Sequence, residues 1–223
     1  MIIPFINSII FNPLFLFTRI WYSLYLPLVQ VFNLSVINHD TIPHSNLLSF
    51  VFSSTLSLLS PFGIYILFNT HYAYSTLFIN IGEFMFNIMI SYFVVDIILG
   101  YQYYRRILYE NVLTFSVHHI VYIFALIYAK YLNVLPLCIS LLPFEIPTVI
   151  LSLGYIDKNY KSPILFGILF FLFRIVYNIL VIWKMYHLCN FIGMFSTLVL
   201  SVHIYWFRGY IKKYILIQVK ENK

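Results

Sequence analysis

Charged side chains in this sequence stand at the ends of long apolar runs, and that placement limits the fold more than any motif does. A helix crossing a bilayer needs about 20 predominantly apolar residues. Seven runs approach or meet that length, at 14–37, 47–68, 78–100, 112–129, 133–153, 163–187 and 191–207. Only 9% of the 223 residues are charged and 62% are hydrophobic, against roughly a quarter charged in a soluble domain. So few charges cannot cover a water-facing surface. The expected fold is all-α, a polytopic membrane bundle.

The first run differs from the others. Pro13 and Pro27 flank or interrupt it and Arg19 lies within it, so it either spans or lies in the interface. Residues 1–45 are read as a separate N-terminal hydrophobic segment, 46–210 as the membrane domain and 211–223 as a basic tail. No basic stretch follows Met1 and no small-residue cleavage site follows the first run, so a cleaved signal peptide is not expected. The loops are short, which makes neighbouring helices antiparallel. Pro61 marks a kink in the second run, and Pro136, Pro143 and Pro147 all fall in the fifth.

The formal charge of +6 is a topology signal and not a nucleic-acid signal. Arg105, Arg106, Lys158, Lys161, Arg208, Lys212, Lys213, Lys220 and Lys223 fall on one side, and Lys130 and Lys184 on the other. Nine against two places the first side, with the C-terminus, in the cytoplasm. Cys138 and Cys189 lie in or beside apolar runs and read as buried thiols.

Ionisable residues inside a bilayer are costly and invite a functional reading. Asp96, His118, His119, Glu145, Arg174 and His203 lie between about 6 and 16 Å from the cytoplasmic ends of five different runs, at 1.5 Å per residue. They point to a polar cavity open to the cytoplasm. Glu83 lies near the opposite end and reads as interfacial. Interhelical glue is the structural alternative, with Glu145 and Arg174 as an ion pair at similar depth. His118 and His119 project about 100° apart on a helix, so one is expected to face the cavity and the other a helix interface. No H-x-x-x-H spacing occurs, and a metal is not expected. Trp21, Tyr22, Tyr25, Tyr205 and Trp206 sit near run ends, where aromatic belts account for them.

The segments SYFVVDIILGYQYYRR, SVHHIVYIFALIYA, PFEIPTVIL, FFLFRIVYN and HIYWF, in that order, resemble the TLC-domain family. Ceramide synthases, the translocation-associated TRAM proteins and an endoplasmic-reticulum cargo receptor belong to it. The resemblance covers about residues 46–210 and is nearest the TLC-domain-containing branch. Ceramide synthases carry two aspartates in the helix after their paired histidines, whereas no Asp occurs here between His119 and Asp157. The resemblance implies a barrel-like bundle of six helices, with the first segment outside it, in the endoplasmic reticulum.

It also implies lipid chemistry or lipid handling. In the enzymatic form, an acyltransferase joins an acyl group from coenzyme A to a lipid amine. His118 or His119 acts as base or nucleophile and Asp96 as its orienter. Glu145, Arg174, His203, Tyr205 and Trp206 line the cavity, and Arg105 and Arg106 meet the coenzyme A phosphates. No cofactor is expected beyond acyl-coenzyme A as a co-substrate. In the other form, the chain is a lipid-binding, cargo-receptor or translocation-associated protein. Membrane lipids are partners in both, and the oligomeric state is open.

Overall fold

The computed structural model describes residues 13–32, 34, 42–105, 109 and 117–216. They are almost entirely helical, with no strand among them. Five helices are long and apolar enough to cross a membrane, and six if one bent pair counts as a span. These are α1, Pro13–Val31; the pair α2, Ile42–Leu58, and α3, Ser60–Phe68, bent by 44°; α4, Thr76–Gln102; α6, Leu135–Ile156; α7, Pro163–Met185; and α8, Asn190–Ile211, which continues as a wide π turn, Lys212–Leu216. Between α4 and α6 lies α5, His118–Tyr131. Its 14 residues are too few to span alone, and the rest of the fourth expected run lies outside the described residues. The chain is thus a polytopic helical membrane protein.

The kink predicted at Pro61 is the α2–α3 bend. Pro61 stands in the first turn of α3, where a missing N–H costs nothing. Beyond the bend, α3 lies close on α6 because residue 63 is glycine. A Cβ at Gly63 would stand 2.5 Å from the carbonyl oxygen of Ile139.

Contacts join α2 to α4 and α6, α4 to α5 and α6, α6 to α7, and α7 to α8. Between α5 and α8 the contacts are made by rings, Tyr122 on Phe195 at 5.5 Å and Tyr128 on Phe191 at 5.0 Å. The first helix lies against this group, chiefly on α4. It buries one stripe, Trp21, Tyr25 and Val29, at four-residue spacing. Trp21 packs edge-on to Phe52 and Tyr92, which stack on each other at 3.8 Å. Phe17 meets Phe84 and Tyr25 meets Tyr103 and Tyr104, so α1 runs parallel to α4.

Candidate functional site

The polar residues predicted to share one cavity fall into two groups. The first surrounds Asp96, which is 1% exposed on α4. Tyr104, just past the end of α4, donates its hydroxyl to Asp96 Oδ1 at 2.5 Å. Tyr92, one turn before Asp96, donates to Oδ2 at 3.5 Å, which leaves Ser49 of α2 to donate to the Tyr92 hydroxyl at 2.6 Å. His119 Nδ1 lies 3.7 Å from Asp96 Oδ2. Two tyrosine donors thus meet the buried Asp96 carboxyl group, with the His119 ring beside it, as burial of a polar group requires.

His119 is enclosed by the rings of Tyr92 and Phe93. Its neighbour His118 points elsewhere, toward Tyr122 at 4.5 Å and Trp206 at 6.3 Å. The 100° divergence expected for adjacent helical residues therefore puts one histidine against α4 and the other toward α8.

The second group is organised by the prolines of α6. This span begins as a short α-helix, Leu135–Cys138, tightens into a 3₁₀ segment, Ile139–Glu145, and resumes as an α-helix, Ile146–Ile156. In a 3₁₀ turn each carbonyl accepts from the N–H three residues on. For Ser140 that residue is Pro143, and for Phe144 it is Pro147; neither has an N–H. Both carbonyls accept from side chains of α7. The Tyr177 hydroxyl donates to Ser140 O at 3.0 Å, and Arg174 Nε donates to Phe144 O at 2.9 Å. Arg174 Nη2 also donates to Thr148 Oγ1 at 2.6 Å.

Arg174 itself sits in a wide π turn, Phe170–Val176, a local distortion often found at functional positions. Its carbonyl faces His203 Nδ1 on α8 at 3.0 Å. A carbonyl only accepts, so Nδ1 carries the ring proton. His203 is 3% exposed, between Phe144 and Phe170.

The expected Glu145–Arg174 ion pair does not form. Arg174 reaches the backbone of residue 144 instead, at 2.9 Å from its carbonyl oxygen. The Glu145 side chain lines a different space. That space is a narrow cavity of about 40 Å³ at the centre of the bundle, walled by Leu56, Met85, Tyr122, Cys138 and Phe195 among others. Among the described residues that line it, Glu145 is the one charged group.

Arg174 opens instead onto a cleft of about 540 Å³ bounded by α2, α6, α7 and α8. Trp206, Lys161 and Lys213 share that cleft. Of the other expected cavity residues, Tyr205 is 75% exposed and lines neither space. Arg105 is exposed and lies over the Tyr101 ring at 4.3 Å, away from both spaces. Arg106 lies outside the described residues. His118, His119, Asp96 and His203, also expected at the cavity, line neither space.

Cys138 and Cys189 are free thiols, Cys138 buried as expected and Cys189 only partly so. Among the described residues no three His, Cys, Asp or Glu side chains gather as metal ligands do. Sequence reading missed Thr148, Lys161, Lys213 and Tyr104 as site residues. For the two lysines the signal was present, since both were counted for topology, but nothing linear placed them in one cleft with Arg174.

The fold defines a multi-pass helical membrane protein with an apolar central cavity and a basic cleft. Comparison with protein-family models, curated proteins and solved structures returned no match. The likeness to the TLC-domain family therefore rests on the segments quoted above.

Proposed function

We propose that this chain is a multi-pass membrane protein of lipid metabolism or lipid homeostasis, which holds an amphiphile in the cleft beside Arg174. One observation carries the reading. The cleft joins aromatic and aliphatic walls, Ile150, Leu151, Phe166 and Phe170, to a fixed guanidinium. Apolar walls with a few placed polar groups are the usual make-up of a small-molecule site, and inside a bilayer the abundant ligand of that character is a lipid. A barrel-like TLC arrangement and residence in the endoplasmic reticulum belong to this reading. Detergent-purified full-length chain examined by native mass spectrometry should carry a long-chain lipid in stoichiometric amount. A lipid-free chain that also fails to bind added lipid saturably would overturn it.

A second reading is acyl transfer, favoured by the place of His118. It touches Tyr122, which lines the central cavity, and Trp206, which lines the cleft. An acyl group would pass from the thioester sulfur to an imidazole nitrogen, releasing the coenzyme A thiol. A lipid amine would then attack the acyl carbon to give an amide and return the imidazole. Purified protein incubated with radiolabelled acyl-coenzyme A would carry a hydroxylamine-sensitive label, lost in His118→Ala. Neither label nor turnover, with lipid still bound, leaves the binding reading alone.

A further inference from the structure

We propose that the occupant of the cleft carries a phosphomonoester, so that the site takes the headgroup of a phosphatidate-type lipid. This rests on the lipid-handling reading above and goes further by naming the headgroup.

Charge is the first argument. The cleft is lined by Arg174, Lys161 and Lys213 and, among the described residues, by no carboxylate. Among those residues the one lysine or arginine within 4 Å of a carboxylate is Lys130, paired with Glu83 near the other end of the bundle. The acid nearest in sequence to Lys161, Asp157, turns its side chain to the backbone N–H of Asn159. Three positive charges line one cleft, and among the described residues that line it none is a counter-ion. An unpaired arginine in a membrane span is costly, and a bound dianion supplies what the protein lacks.

Geometry is the second. Two hydrogen bonds, to Phe144 O and Thr148 Oγ1, hold the guanidinium plane, and Phe170 lies beneath it at 5.5 Å. The other guanidinium hydrogens have no protein acceptor among the described residues. An oriented guanidinium with spare donors matches the oxygens of a phosphate. Arg174 lies eleven residues beyond Pro163, roughly 16 Å along the helix at 1.5 Å per residue. Its side chain turns back one full turn over Phe170, toward Lys161. Lys161 is placed firmly, because a Cβ at Gly154 would come within 3.1 Å of the Lys161 Cα. Lysine stems reach several ångströms inward. The phosphate therefore rests on Arg174 with the two lysines above it, and the acyl chain lies on Ile150, Leu151 and Phe166. A zwitterionic headgroup would bring its ammonium against the same cations.

The test uses detergent-purified full-length chain and a fluorescent phosphatidate. Phosphatidate, phosphatidylcholine, oleate, coenzyme A and inorganic phosphate compete with it. Phosphatidate should displace the probe at a concentration at least tenfold below phosphatidylcholine or oleate. Lys161→Ala with Lys213→Ala should weaken phosphatidate roughly tenfold or more, at about 1 kcal/mol for each basic residue near an anionic lipid surface. It should weaken phosphatidylcholine far less, and leave the melting temperature unchanged, since both lysines are exposed. Arg174→Lys should lose more affinity than its retained charge explains. Equal competition by all three lipids, or unchanged phosphatidate affinity in the double-lysine variant, overturns the phosphate assignment and leaves lipid handling standing. Displacement by coenzyme A or inorganic phosphate below the phosphatidate concentration assigns the site to a soluble anion and overturns it too. Binding of no lipid class removes both proposals together.

Discussion

The Tyr104 hydroxyl donates a 2.5 Å hydrogen bond to Asp96 Oδ1, closing the end of α4 back onto a carboxylate buried two turns earlier. Tyr104 is itself 1% exposed and lies against Tyr25 of α1. One bond therefore ties the first helix, the end of α4 and the Asp96–His119 pair together.

Removing that donor should loosen all three. Tyr104→Phe leaves the ring packing and deletes the hydroxyl, at a cost of about 1–3 kcal/mol for a buried acceptor that loses a partner. Thermal unfolding in detergent should show the drop, and Tyr22→Phe, whose hydroxyl bonds Gln102 at the exposed surface, should show far less. An equal response to both substitutions would mean the Asp96 cluster contributes nothing special.

Glu145 and Arg174 form no ion pair in this arrangement, although Arg174 binds the carbonyl next to Glu145. Glu145→Gln and Arg174→Gln should combine additively to within about 0.5 kcal/mol in a double-mutant cycle. Thr148→Val, in contrast, should couple to Arg174→Gln, because the two side chains share a 2.6 Å bond. Strong coupling of Glu145 to Arg174 would restore the ion pair that the sequence suggested.

Two glycines make opposite predictions. Gly63→Ala forces a Cβ onto the Ile139 carbonyl and should cost about 1–3 kcal/mol as overpacking. Gly209→Ala meets nothing within 4 Å, so helix propensity should make it neutral or stabilising by up to about 1 kcal/mol. Melting temperatures of the two variants, measured side by side, decide the matter.

Orientation is open to direct labelling. In a Cys138→Ala, Cys189→Ala background, single cysteines at Lys158 and Lys212 should react from the cytoplasmic face of sealed microsomes, and one at Lys130 only after permeabilisation. Labelling of the Lys158 site from the lumen would reverse the nine-to-two charge argument.

The exposed Lys130–Glu83 pair, at 2.6 Å with both side chains nearly half exposed, should matter little. Lys130→Ala is expected to cost under about 1 kcal/mol, read by the same unfolding assay. A loss above 2 kcal/mol would indicate burial by lipid or by another chain.

Sequence alone determined that the chain is helical and membrane-embedded, because span length and the exclusion of charge from hydrocarbon are one-dimensional constraints. It determined which ionisable residues lie within the spans, and that His118 and His119 diverge, since helical pitch sets both. The prolines at 136, 143 and 147 were equally visible. Their consequence was not, because a carbonyl left without an N–H finds its partner on another helix. Tertiary structure decided that Arg174 meets the Phe144 carbonyl instead of Glu145, that Asp96 is held by tyrosines as well as facing a histidine, and that Lys161 and Lys213 line the same cleft as Arg174. Side chains 39 residues apart, as Arg174 and Lys213 are, share a cleft only through helix packing, and packing depends on side-chain shape across four helices at once.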